Sequence, residues 1–255
     1  MITTHKKNKV LFVKPPDRFL ENEFVYQQLG PHYLQSFLKQ YEIIADILVL
    51  YEQPGVRNER ELGIIDKLSL DQLNMLFLGE DGRCDDYTFD HSILNNYDIV
   101  GMSVMSPQAQ DAYLLNELIN ELFPKMTTVI GGSHPRYYQE QVENLPKSMA
   151  FDFIVPQDGW GPIYKIASGQ IQKSKKSVVL TDNSPILTDF PAPSRPLGLM
   201  ERYNFSIAGV PAYHTITALG CPFTCYFCES GTENVRKFSE NMIEHDLRIM
   251  AETHQ

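Results

Sequence analysis

Short apolar runs alternating with helix-like segments fill the first two thirds of this 255-residue chain, and no other feature constrains its fold as strongly. Val10-Leu11-Phe12-Val13, Ile47-Leu48-Val49-Leu50, Ile99 to Val104, Thr128-Val129-Ile130 and Phe153-Ile154-Val155 each read as a strand that is apolar on both faces. Between them, Pro31 to Tyr41 sets Tyr33, Leu34, Phe37 and Leu38 on one helical face. Leu115, Leu118, Ile119 and Leu122 form a second helical stripe, which Pro124 helps to end. Ser69-Leu70-Asp71-Gln72 has the form of a capping box and opens a short apolar helix through Leu73, Leu76 and Phe77. Continuously apolar strands belong in a parallel sheet with helices over both faces, because only there are both faces dry. Residues 1–170 are therefore expected to form an α/β domain around a doubly wound, parallel, five-stranded sheet.

Beyond residue 170 the pattern changes. Gln170 to Ser177 is polar and basic, with Lys173-Ser174-Lys175-Lys176 reading as a solvated turn. Pro185, Pro191, Pro193 and Pro196 crowd the next stretch, so 171–205 reads as a semi-rigid linker. Tyr213 to Leu219 reads as one more strand. Ser239 is a candidate N-cap, Phe238 and Ile243 are spaced for a hydrophobic staple, and Ile243, Leu247, Met250 and Ala251 line one face of the following helix. A single strand has no ladder partner, and a single helix has nothing to cover its stripe. Residues 206–255 are accordingly expected to be poorly anchored, with the front domain folding alone.

The formal net charge of -10 argues against a nucleic-acid backbone as the main partner. No apolar run approaches the ~20 residues of a membrane span, and Val10 to Val13 is too short for a signal peptide. The expected compartment is the cytoplasm, where clustered cysteines point to a metal and not to disulfides.

Three of the four cysteines lie in Leu219-Gly220-Cys221-Pro222-Phe223-Thr224-Cys225-Tyr226-Phe227-Cys228. Zinc prefers four ligands, so a fourth would have to come from Cys84, His214 or another distant group. A 4Fe-4S cluster bound by three thiolates would keep one iron open to a substrate or cofactor. Cys84 itself stands alone before Asp85-Asp86, a setting that disfavours a thiolate.

This motif resembles that of the radical S-adenosylmethionine enzymes. The resemblance implies that Cys221, Cys225 and Cys228 hold the cluster at the end of the first strand of a partial (β/α) barrel, with the open iron binding S-adenosylmethionine and Phe227 near its adenine. The front domain carries it further. Ser103-Val104-Met105 after one strand and Gly131-Gly132 after another resemble elements of cobalamin-binding domains. Glycines after a parallel strand let a backbone approach a ligand closely, and open sheets bind at the carboxyl ends of their strands. The composite resembles the cobalamin-dependent radical S-adenosylmethionine family over nearly the whole chain. It implies a 4Fe-4S cluster, S-adenosylmethionine and cobalamin as cofactors, a small-molecule substrate, and a reductant such as flavodoxin or ferredoxin. The implied reaction is methyl transfer to an unactivated carbon. A radical ring-forming or rearranging enzyme, such as a porphyrin oxidative cyclase, and a non-catalytic cobalamin-binding module remain as alternatives.

Three features depart from the family. The loop Lys14-Pro15-Pro16-Asp17-Arg18-Phe19-Leu20 lacks the cobalt-binding His that many cobalamin proteins carry there; His32 and His134 are the nearest candidates, and His134 could line the pocket. Asp158-Gly159-Trp160-Gly161 lacks the second acid of the relatives, and Trp160 could either pack or cover the cofactor. Finally, the chain ends at Gln255, soon after Cys228, whereas a full barrel takes roughly 250 residues. The barrel, including the glycine-rich segment that grips the methionine, is thus expected to be incomplete, and this chain inactive alone.

Overall fold

The computed structural model describes residues 7–17, 25, 27–52, 60–65, 76–78, 91–182, 187–196, 200, 203–228 and 233–253. Ser69 to Gln72, Cys84, Arg18 to Leu20 and Pro185 lie outside them. Eight strands form the main sheet: β1 (Val10–Lys14), β2 (Ala45–Glu52), β3 (Arg60–Ile65), β4 (Leu76–Leu78), β5 (Ile99–Ser103), β6 (Thr127–Gly131), β7 (Phe153–Val155) and β8 (Val178–Val179). Their order is β4-β3-β2-β1-β5-β6-β7-β8. The six strands from β2 to β8 in that order run parallel, while β3 and β4 add an antiparallel edge.

The α/β class is as expected, but five parallel strands become six within a mixed sheet of eight. Leu76 and Phe77 belong to a strand and not a helix, since a short apolar run has no periodicity that separates the two. Val178-Val179, inside the stretch read as linker, continues the ladder next to Phe153 and Ile154.

Side chains alternate across the sheet, as the strand period of two requires. Val10, Phe12, Ile47, Val49, Ile99, Val129, Phe153 and Val155 face α1 (Leu29–Gln40) and α5 (Trp160–Ala167) in one core. Leu11, Val13, Leu48, Leu50, Val100, Met102, Ile130 and Ile154 pack with α2 (Ala109–Leu122) and Val142 in the other. Val142 lies in α4 (Gln139–Glu143), which follows α3 (Ser133–Tyr137).

The rear of the chain is docked, contrary to the expectation of poor anchoring. It holds a hairpin, β9 (Ser206–Ile207) with β10 (Val210–Pro211), a second antiparallel pair, β11 (Ala218–Cys221) with β12 (Glu233–Lys237), and α6 (Glu240–Thr253). β12 is the ladder partner that the sequence did not reveal. Ser239 caps α6 as expected, its Oγ accepting from Met242 N at 3.2 Å. Phe238 and Met242 enter the α1/α5 core, and Ile243 packs against it. Leu187, Ala192, Met200 and Tyr203 are buried there too, so this part of the supposed linker is core material. Asp182 Oδ2 accepts from Gly161 N at 2.9 Å, capping α5 from the same stretch. Lys173 is tied down as well, donating to the carbonyls of Pro124 and Met126 at 3.0 and 2.8 Å. Among the described residues, no helix is long and apolar enough to cross a membrane.

Candidate active site at the sheet edge and the cysteine loop

Strand order reverses between β1 and β5, the place where open α/β sheets bind ligands. A cavity of about 220 Å³ opens there on the α1/α5 face. Its floor follows from the register. Phe12 lies opposite Gly101, and Gly101 opposite Val129; one step nearer the strand ends, Ser103 lies opposite Gly131, and Gly131 opposite Val155. Glycines at 101 and 131 and a serine at 103 leave room where larger side chains would fill the core. A Cβ on Gly101 would come within 3.1 Å of the Phe12 ring, so this position is tight as well as empty. Sequence reasoning passed over Gly101, although a glycine inside an apolar strand is the signal for close approach. A larger groove of about 1190 Å³ lies by Ile43 to Ile47 at the start of β2, away from the carboxyl ends.

The walls are aromatic. Trp160 packs edge-on to Tyr33, Phe37 and Phe190, with ring centroids 5.9, 5.7 and 4.5 Å apart, and it also lines the cavity. Tyr33 stacks on Phe238 at 5.1 Å and donates its hydroxyl to Ile216 O at 3.1 Å. Burial, with Asp246 adding to it, pushes that hydroxyl up to about 12, so it stays protonated at neutral pH. The Ser103 carbonyl accepts from Gln28 Nε2 at 3.1 Å, while Gln28 Oε1 is buried with no hydrogen-bond partner among the described residues.

Gly132 lines the cavity and also answers a second demand. Its φ is +97°, and a Cβ there would sit 2.6 Å from Val104 N and 2.7 Å from Val104 O. The close approach is to the neighbouring loop: Val104 N donates to Gly131 O at 2.8 Å, and His134 N to Val104 O at 2.9 Å. His134 continues this lacing and is not among the cavity residues. Its ring is hydrogen-bonded to Tyr113 Oη at 2.6 Å and Ser106 Oγ at 3.2 Å, and burial lowers its pKa. His32 lies away from the cavity as well, with Nδ1 3.0 Å from Ser194 Oγ. Burial, then the charge of Arg195, lowers it to about 3, so it is neutral.

The roof belongs to the rear segment. Ile216 and Leu219, on the approach to Cys221, and Phe238 close the cavity. Cys221 is half-buried at the end of β11, and Cys225 and Cys228 are exposed. A turn joins the latter two, Cys228 N donating to Cys225 O at 2.9 Å. The loop does not gather the three thiols: among the described residues, no three His, Cys, Asp or Glu side chains stand where they could hold a metal ion. Phe227 is 91% exposed and touches neither the cavity nor the core. The ring of His214 lies against Phe205, with centroids 4.6 Å apart.

Two sets of charges fasten the roof, and sequence reasoning found neither. Arg195 donates from Nε and Nη2 to the two carboxylate oxygens of Asp246 at 2.9 and 2.8 Å, from Nη2 to His214 O at 2.7 Å, and from Nη1 to Gln27 Oε1. Thr215 Oγ1 donates to Asp246 at 2.7 Å. Both charged side chains are almost fully buried. Arg236 of β12 pairs with Asp158, a cavity residue, at 2.7 Å.

No family model matches the chain. It is similar to a protein of Pyrococcus horikoshii described as an uncharacterized methyltransferase, with 25% identity over 191 residues. The matched region is 68% of this chain and 41% of that protein, so the chain spans about two fifths of the relative's length.

Proposed function

We propose that this chain is part of a methyltransferase that uses a 4Fe-4S cluster, S-adenosylmethionine and cobalamin to methylate an unactivated carbon of a small molecule. The observation that carries this reading is a juxtaposition. The strand that ends in Cys221 starts from the roof of the sheet-edge cavity, with Leu219 in the roof and Cys221 two residues further on. The description of the Pyrococcus relative agrees at the level of methyl transfer. The cofactors rest on the motifs and on how well the residues suit them.

The donor set suits a cluster in kind. Thiolates are the ligands iron–sulfur clusters take, and two of the three stand open to an incoming metal. Metal binding couples to folding, so the loop from Cys221 to Cys228 is expected to close around the metal as it binds. The cavity suits one part of cobalamin. An apolar cavity of ~150 Å³ takes benzene, so about 220 Å³ admits the flat benzimidazole base, whereas drug-sized ligands occupy ~300–1,000 Å³ and a corrin ring is excluded. Gly101, Gly131 and Ser103 would receive the base, and Trp160 and Tyr33 would flank it. Held by Cys221, Cys225 and Cys228, a cluster would supply an electron for cleaving the sulfonium, and cobalamin would supply a transferable methyl group. The protein's own work is to shield the cavity from water, to hold the Tyr33 proton in place, and to present Phe227 to the adenine.

Anaerobic reconstitution with iron and sulfide tests the cluster. The expected product has a brown chromophore that Cys221→Ala, Cys225→Ala and Cys228→Ala each abolish and Cys84→Ala leaves intact. Iron content that is absent in the wild type, or unchanged in Cys225→Ala, overturns it.

A further inference from the structure

The roof is thin and apolar, while what fastens it is polar and lies to either side. Ile216, Leu219 and Phe238 cover the cavity. Tyr33 holds Ile216 through one hydrogen bond, Arg195 and Asp246 join α6 to the proline-rich stretch beneath it, and Arg236 reaches from β12 to Asp158 on the cavity wall. A ligand larger than this cavity therefore meets Ile216, Leu219 and Phe238 at the carboxyl ends of β1, β5 and β6 while these contacts hold.

We propose that residues 203–228 and 233–253 form a lid over this cavity, latched by the Arg195–Asp246 and Arg236–Asp158 pairs, which must lift before a bulky ligand can occupy the sheet edge. The latch and such a ligand compete. The apparent affinity is the intrinsic affinity scaled by the open fraction, so weakening the latch tightens binding. The two pairs differ in weight. Asp246 is wholly buried, and removing its charge strands Arg195 in the core. Arg236 and Asp158 are 15% and 22% exposed, so their pair is screened and weaker. The lid stands independently of the cofactor reading above; only the choice of cobalamin as the bulky probe rests on that reading.

Trp160, the single tryptophan, lines the cavity and is 6% exposed, so it reports on the lid directly. The full chain is compared as wild type, Asp246→Asn and Arg236→Gln, the milder variant serving if the first does not fold. Acrylamide quenching of Trp160 is expected to rise, and its emission to shift to the red, in the order wild type, Arg236→Gln, Asp246→Asn, with far-ultraviolet circular dichroism retained. Hydroxocobalamin titrated into the same proteins is expected to bind at least about tenfold tighter to Asp246→Asn and about threefold tighter to Arg236→Gln than to wild type. Equal shielding of Trp160 in all folded proteins overturns the lid, as does equal hydroxocobalamin affinity. Graded Trp160 exposure with no hydroxocobalamin bound by any of them supports the lid and overturns the cobalamin reading.

Discussion

The two regions of the molecule keep their apolar surface dry by opposite means. The front sheet is self-sufficient: Val10, Val100, Ile130, Phe153 and Ile154 are sealed between helices on either face. The rear segment, from 203 to 253, borrows its core. Phe238 and Met242 are buried against α1 and α5, while Ile207, Val210, Phe223 and Phe227 are more than 60% exposed. A segment with so little interior of its own is held by a few specific polar contacts, and these are also where it can be released. Stability in the front region is spread over many apolar contacts, while the rear combines a few buried apolar anchors, Phe238, Met242 and Met250, with the polar contacts of Arg195, Asp246 and Tyr33.

The sharpest way to break that contrast is Asp246→Ala. Removing one partner of a buried pair costs about 3–5 kcal/mol, because the other charge is left unpaired. The loss is expected to release the rear segment and leave the sheet folded. Proteolysis of the variant should remove residues beyond about 200 and leave a resistant front fragment; a single cooperative loss of both regions would show that they are one unit. Gly132→Ala should do the reverse and damage the front. The positive φ costs about 1–3 kcal/mol, and the added Cβ meets the Val104 backbone, which cannot swing aside as a side chain could. A fall in melting temperature carried by the sheet is expected, with the β5 and β6 loops losing amide protection first.

Acid should act on the seam between the regions. His32 of α1 is buried against Ser194, and its pKa falls to about 3 through burial and the nearby Arg195, itself paired with Asp246. The unfolded chain therefore binds this proton more readily than the folded one. The stability it withholds is fully present above the ordinary histidine pKa of about 6.5 and is lost as pH falls towards 3. By pH 5 the loss amounts to about 2 kcal/mol. Denaturant midpoints between pH 7.5 and 5 check the slope, which His32→Gln should flatten; a slope unchanged in that variant would assign it to other groups.

The legibility of the two regions differs for the same physical reason. The strands of the front sheet are short apolar runs, and a period of two or a continuous run reports its own burial. Gly131-Gly132 was visible as a site, yet the need at Gly132 lies in Val104, which only the register brings near. Gly101 matters because Phe12 lies opposite it, and that pairing spans nearly ninety positions of chain. In the rear, β12 reads Glu-Asn-Val-Arg-Lys, too polar to announce a strand. Arg195, Gln27 and Asp246 meet across spans of 51 and 168 residues, so no local pattern predicts their contact. The proline-rich stretch looked like a linker because its composition lacks periodicity, although Leu187, Ala192 and Met200 are buried. The cysteine spacing was legible by chemistry alone, and the fold adds that it is reached through the cavity roof.

The smallest expected effect is also the most local. Tyr33→Phe keeps the stack on Phe238 and the edge contact with Trp160, and it removes only the hydroxyl that donates to Ile216 O. One neutral hydrogen bond contributes about 1 kcal/mol, and the orphaned carbonyl lies on the approach to β11. Because the front core keeps its shape, the loss should appear as easier opening of β11, β12 and α6 with global stability nearly unchanged. Native-state hydrogen exchange separates the two outcomes. Faster exchange confined to residues 213–253 supports a rear segment that opens on its own. Faster exchange shared equally by β1, β5 and β6 would mean that Tyr33 supports the sheet, and the division into a self-sufficient front and a borrowed rear would fall.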